Sequence, residues 1–134
     1  MIVEKNETMP VMTSEDVVRV RQKVRAQAVA LGFSLVDQTK IVTAASEIAR
    51  NTVVHGGGGK MEIDTLKHGG RTGLRLVFCD HGPGIADISR AMVDGFSTGG
   101  GLGLGLSGAK RLSNEFEVNS TAGQGTTVTL IRWK

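Results

Sequence analysis

The 134-residue chain, with 40% hydrophobic and 22% charged residues, has the size of one domain, 1–134, that can bury a core without disulfides. Its lone cysteine, Cys79, excludes an internal disulfide, and no apolar run reaches the ~18 residues of a membrane span. The net charge of +3 is spread along the chain and aromatics make up only 4%, so the clustered Arg/Lys and stacking rings of a nucleic-acid surface are missing.

Met1 to Glu7 carry no signal-peptide pattern, which leads us to expect a cytoplasmic protein with no membrane role. The 19 glycines, about twice the ordinary ~7% share, are clustered and so mark particular loops.

In chain order, residues 2–12 read as a first strand. A helix is expected from about Thr13, with Ser14 as N-cap and Glu15 and Asp16 in its first turn. Val17, Val20, Val24, Ala28 and Leu31 recur at helical spacing, and Gly32 ends the helix. A second helix is predicted from Val36 to His55, with Ile41, Ala44, Ala45, Ile48 and Thr52 as its apolar stripe and Gly56–Gly59 as its stop.

The period then changes. Lys60–Lys67 and Gly73–Asp80 read as strands around a Gly69-Gly70 turn. A short helix is expected over 85–94, then a glycine loop, then a helix over Leu106–Leu112. Glu115–Ser120 alternates as a strand, and Thr126–Trp133 is the last one. Helices and strands fall in blocks, which predicts an α+β fold with one mixed, mostly antiparallel sheet and helices on one face.

Four clusters carry chemistry. Glu47 and Asn51 lie one helical turn apart and share a face, so a carboxylate for proton abstraction stands beside an amide oxygen suited to Mg²⁺. Asp80-His81-Gly82-Pro83-Gly84-Ile85 puts an acid at a strand end before a stiff turn, where it could receive the exocyclic amine of adenine. Gly99 to Gly105 could wrap phosphates with backbone N–H groups ahead of a helix. Gly123-Gln124-Gly125-Thr126 turns the chain into its last strand.

The third cluster also holds two decoys. Gly103 to Gly108 matches G-x-G-x-x-G, but no strand precedes it, and Gly103 to Lys110 misses the P-loop spacing.

The order Glu-x-x-x-Asn, Asp-x-Gly-Pro-Gly-Ile, glycine-rich lid, Gly-x-Gly-Thr resembles the N, G1, G2 and G3 boxes of the GHKL ATPase superfamily. Within it, Ser46 to Asn51, Asp94 to Thr98 and Gly100 to Leu106 are similar to the small serine kinases of partner-switching modules. That resemblance implies a Bergerat-type ATP-binding sandwich and roles for particular residues. Asn51 would coordinate Mg²⁺ and Glu47 would be the base. Asp80 would read adenine in a pocket shaped by Gly82, Gly84 and Thr126. Gly101, Gly103 and Gly105 would close over the phosphates of ATP or ADP.

The resemblance implies a STAS-domain protein as serine substrate, a PP2C-type phosphatase as second partner, and a large STAS-scaffold complex as their setting. Sigma-binding relatives often carry a lid arginine, and Ser97 to Gly101 have none, which favours the kinase branch over an anti-sigma binding module.

Overall fold

The computed structural model describes residues 1–85, 92 and 102–134, with only the backbone for 102–104. The described elements are β1 (Ile2–Val11), α1 (Ser14–Ala30), α2 (Leu35–Val54), β2 (Gly59–His68), β3 (Arg71–Asp80), α3 (Leu102–Arg111), β4 (Glu115–Thr121) and β5 (Gly125–Trp133). The strands form one sheet in the order β1-β2-β3-β5-β4. Every pairing among the described residues is antiparallel, so the expected mixture of directions is not seen among them.

Alternation along the strands sorts the sheet faces. Met61 and Ile63 of β2, Leu74, Leu76 and Phe78 of β3, and Val128 and Leu130 of β5 join the helix residues Val20, Val24, Ile41, Ala45 and Ile48 in one core. The opposite face holds a smaller cluster of Leu66, Ile131 and Trp133, over which the Arg71 guanidinium lies 4.9 Å from the Trp133 ring centroid.

The N-cap of α1 is Thr13, one residue before the expected Ser14. The cause is a reciprocal box: Asp16 N donates to Thr13 Oγ1 at 3.2 Å, and Asp16 Oδ2 accepts from Thr13 N at 3.2 Å. Asp16 Oδ2 also accepts from Met12 N, which holds this carboxyl below the ordinary carboxylate range. Gly32 follows the helix with φ of +82°, a conformation costly for any residue with a Cβ.

A further departure concerns α3, which begins at Leu102 rather than Leu106. Sequence reasoning treats the Leu-Gly alternation as loop because glycine is a poor helix former. Tertiary packing overrides that preference: Gly105, Leu106, Ser107 and Ala109 are all buried, and α3 packs against α2. The expected helix over 85–94 and the lid residues 97–101, Gly101 included, lie outside the described residues apart from Ile85 and Met92.

Arg132 braces this arrangement. Its Nη2 donates to Asp37 Oδ1 at 2.7 Å near the start of α2, and its Nη1 donates to the Leu112 carbonyl at 3.1 Å just past α3. The Arg132 hydrogen bond holds the Asp37 carboxyl below its ordinary value, against the opposing effect of burial.

Candidate nucleotide site

A cavity opens between α2, the end of β3, the turn at 83–85, α3 and the start of β5. Its volume of about 190 Å³ is an order of magnitude beyond the ~10–15 Å³ that admits one water, so it can take a ring system. Ile48, Phe78, Ile85, Leu106 and Val128 supply apolar walls. Asn51, Thr52 and Asp80 supply polar groups. Apolar walls with a few convergent polar groups are the ordinary make-up of a small-molecule site.

Asp80 is the most constrained of them. It is 9% exposed at the end of β3. Its Oδ1 accepts from Gly82 N at 2.9 Å and from Thr126 N at 3.2 Å. Its Oδ2 has no hydrogen-bond partner among the described residues. A carboxylate fixed through one oxygen presents the other to a donor in the cavity, as an aminopurine would require.

The glycines around Asp80 are there for space. A Cβ at Gly56 would lie 2.4 Å from the Asp80 Cγ, and one at Gly125 would lie 2.2 Å from the Asp80 carbonyl oxygen. A Cβ at Gly82 would stand 2.7 Å from the Gly56 Cα. Gly84 has φ of +75°, and a Cβ there would lie 2.3 Å from the Thr121 carbonyl oxygen. The turn is tied to β4 and to the β4–β5 turn by Ile85 N to Ser120 Oγ at 2.7 Å and by Gly123 N to Pro83 O at 2.6 Å. Ser120 Oγ also lies 2.8 Å from Thr126 Oγ1.

Asn51 faces the same cavity. Its Nδ2 is buried without a hydrogen-bond partner among the described residues, and Gly105 of α3 approaches so closely that a Cβ there would lie 2.7 Å from that nitrogen. A buried amide left unsatisfied is costly unless a ligand completes it.

Among the described residues no three His, Cys, Asp or Glu side chains gather to hold a metal. Mg²⁺ commonly takes one or two protein ligands and completes its shell with phosphates and water. A lone Asn51 amide beside a nucleotide cavity fits that mode, with its oxygen turned toward the ion.

Glu47 is not brought into the cavity wall. Its carboxylate accepts from Arg50 Nη1 at 3.3 Å on the helix surface, where Glu47 is 38% and Arg50 57% exposed. Gly103 lies within α3, so it belongs to a helix rather than to a loop. Two contributors escaped the sequence reading. Gly56 looks like a helix stop, and only its position in a run of four glycines after Asn51 hints at crowding. Ser120 carries no local signal, because its partners Ile85 and Thr126 meet it only in the folded sheet.

The fold and the site define an ATP-binding protein of the α+β sandwich type. The chain belongs to the histidine kinase-, DNA gyrase B- and HSP90-like ATPase family, whose profile matches residues 36–134.

Among curated proteins it is 50% identical over 123 residues, 92% of each chain, to the serine/threonine-protein kinase RsbT of Bacillus subtilis (strain 168). It is 33% identical over 119 residues, 84% of this chain and 82% of the other, to the anti-sigma F factor of Thermoanaerobacter sp. (strain X514). A crystal structure of the RsbU and RsbW domains of a Mycobacterium tuberculosis protein shares the fold, with a TM-score of 0.67 and 22% identity over 97% of this chain and 33% of that one. Likeness of this extent to RsbT, together with the ATPase domain, makes the chain an ATP-dependent kinase of the serine/threonine type. No helix among the described residues is long and apolar enough to cross a membrane.

Proposed function

We propose that the chain transfers the γ-phosphoryl group of ATP to a serine of a STAS-domain antagonist and, once released, binds and activates a PP2C-type phosphatase in a cytoplasmic stress-response switch. The observation that carries the nucleotide part is the Asp80 carboxylate, fixed by Gly82 and Thr126 through Oδ1 while Oδ2 stays open to an adenine amine. Likeness to RsbT supports the kinase part. A large STAS-scaffold complex is the natural setting for such a switch.

The steps need little covalent chemistry from the protein. Asn51 holds Mg²⁺, which supplies charge neutralisation on the phosphates. Asp80, Gly82, Gly84 and Thr126 seat the base, and the first turn of α3, which carries Gly103 and Gly105, lies on the phosphate side. The serine oxygen of the acceptor attacks the γ-phosphorus, the bond from that phosphorus to the β–γ bridging oxygen breaks, and ADP leaves. Glu47 accepts the serine proton, which requires its carboxylate to turn from Arg50 toward the acceptor.

Calorimetry with ATP and Mg²⁺, followed by transfer of labelled phosphate to a STAS-domain acceptor, tests the proposal. Nucleotide binding, with transfer lost in Glu47→Ala, is expected. Absence of any heat for ATP or ADP would overturn it.

The 33% identity to an anti-sigma factor supports a second reading, a nucleotide-dependent module that sequesters its partner. That reading predicts tight partner binding with no phosphoserine formed.

A further inference from the structure

On the far side of α1 from its buried stripe lies a second stripe. Val18, Arg21, Gln22, Arg25, Ala26 and Val29 fall within roughly 140° of arc at ~100° per residue. All six are exposed, Val18 at 47% and Val29 at 56%. Together with Val42 of α2, the first five line a groove of about 500 Å³.

The four cations of α1 divide according to whether they face this groove. Arg19 pairs with Asp16 at 2.7 Å, and Lys23 pairs with Glu7 at 2.7 Å. Neither lines the groove. Arg21 and Arg25 do, and neither has a carboxylate partner among the described residues; Arg25 has only Gln38 Oε1 at 3.4 Å. An apolar floor with two unneutralised guanidinium groups is complementary to an apolar strip flanked by carboxylates. A nucleic acid would call for a longer array of cations.

We propose that this groove docks an acidic amphipathic segment, a helix with apolar anchors and flanking Asp or Glu, of a partner protein. Its position relates it to the site. Crossing the exposed ridge of α2 from Val42 to Asn51, at ~100° per residue, passes Arg50 and then Glu47. A protein seated in the groove and broad enough to reach along α2 toward the cavity would meet Arg50 and Glu47 on the way. That this protein is the phosphate acceptor rests on the kinase reading above; the docking itself does not.

The test uses the full chain and a fluorescein-labelled helical peptide of about 18 residues, with leucines at i, i+3, i+4 and i+7 and flanking glutamates. Wild type is expected to bind it saturably and more weakly as salt rises. The double variants Arg21→Glu/Arg25→Glu and Arg21→Gln/Arg25→Gln are expected to lose roughly tenfold or more in affinity, since the guanidinium groups carry the charge match. Their thermal midpoints and ATP heats should match wild type.

Equal peptide affinity in those variants would overturn the proposal. So would equal binding of a lysine-for-glutamate peptide or of a single-stranded oligonucleotide of matching charge. A concentration-dependent dimer dissolved by Val18→Asp would also overturn it, because a second copy would then cover the face. Peptide binding without any ATP heat would sink the kinase reading and leave the groove standing. Normal ATP heat with a peptide indifferent to both arginines would sink the groove alone.

Discussion

Asn51 and Gly105 meet across the α2–α3 contact so closely that the only side chain position 105 can carry without displacing the amide is a hydrogen atom: a Cβ would stand 2.7 Å from Asn51 Nδ2. The nearest obstacle is the end of a side chain rather than backbone, so the amide can yield while the helices stay packed. Gly105→Ala should therefore leave the thermal midpoint unchanged or raise it, since alanine is favoured over glycine in a helix by up to ~1 kcal/mol. Affinity for Mg²⁺–ATP should fall roughly tenfold or more, about 1.4 kcal/mol or above, because the displaced amide no longer meets its ligand. Paired melting curves and calorimetry check this; equal affinity would mean that Asn51 does not touch the bound nucleotide.

Gly56→Ala should behave differently. Its Cβ would press to 2.4 Å on the Asp80 Cγ, and Asp80 is pinned by the N–H groups of Gly82 and Thr126. Neither side can retreat cheaply, and overpacking of this kind costs about 1–3 kcal/mol. Denaturant midpoints and ATP titrations should fall together; a variant as stable as wild type would refute the crowding argument.

Asp80→Asn keeps an oxygen that can still accept from Gly82 and Thr126, but it places an N–H₂ where the second oxygen stood. Facing an adenine amine, that group is a donor opposite a donor. ATP and ADP affinity should drop by at least an order of magnitude while the fold persists by circular dichroism. Undiminished affinity would remove Asp80 from the base-reading role.

The Arg132–Asp37 brace gives a pH signature. Folding lowers the Asp37 pKa below its ordinary 3.8, chiefly through the Arg132 hydrogen bond. A depressed carboxyl contributes stability that is fully present above the unfolded pKa and is lost as pH falls through the folded value. Arg132→Gln should lower the thermal midpoint by a few degrees at pH 7. The gap from wild type should narrow as pH drops below about 3.8. A constant gap down to pH 2 would show that the arginine acts by packing alone.

Much of this protein is legible from local pattern. Period-two runs such as Glu115 to Ser120 and period-3.6 stripes such as Ile41, Ala44, Ala45, Ile48 and Thr52 announce their elements, because each must bury one face. The strand-end acid at Asp80 and the Asn51 helix are likewise visible as spaced motifs. The partner-facing stripe of α1 is not, since nothing in the sequence tells a cation with a carboxylate partner, such as Lys23, from one that has none among the described residues, such as Arg21.

The sequence by itself determined which residue types stand at which period, and hence the helices, the strands and the order of the nucleotide-binding motifs. Only the tertiary structure decided that α3 runs through the Leu-Gly repeat, that Gly56 and Gly125 make room around Asp80, and that Glu47 leans on Arg50 outside the cavity. The reason is physical. Local pattern fixes what each segment can bury, whereas close approach, hydrogen-bond pairing and charge neutralisation depend on partners that Asn51 and Gly105, or Asp80 and Thr126, acquire only when distant segments of the chain pack together.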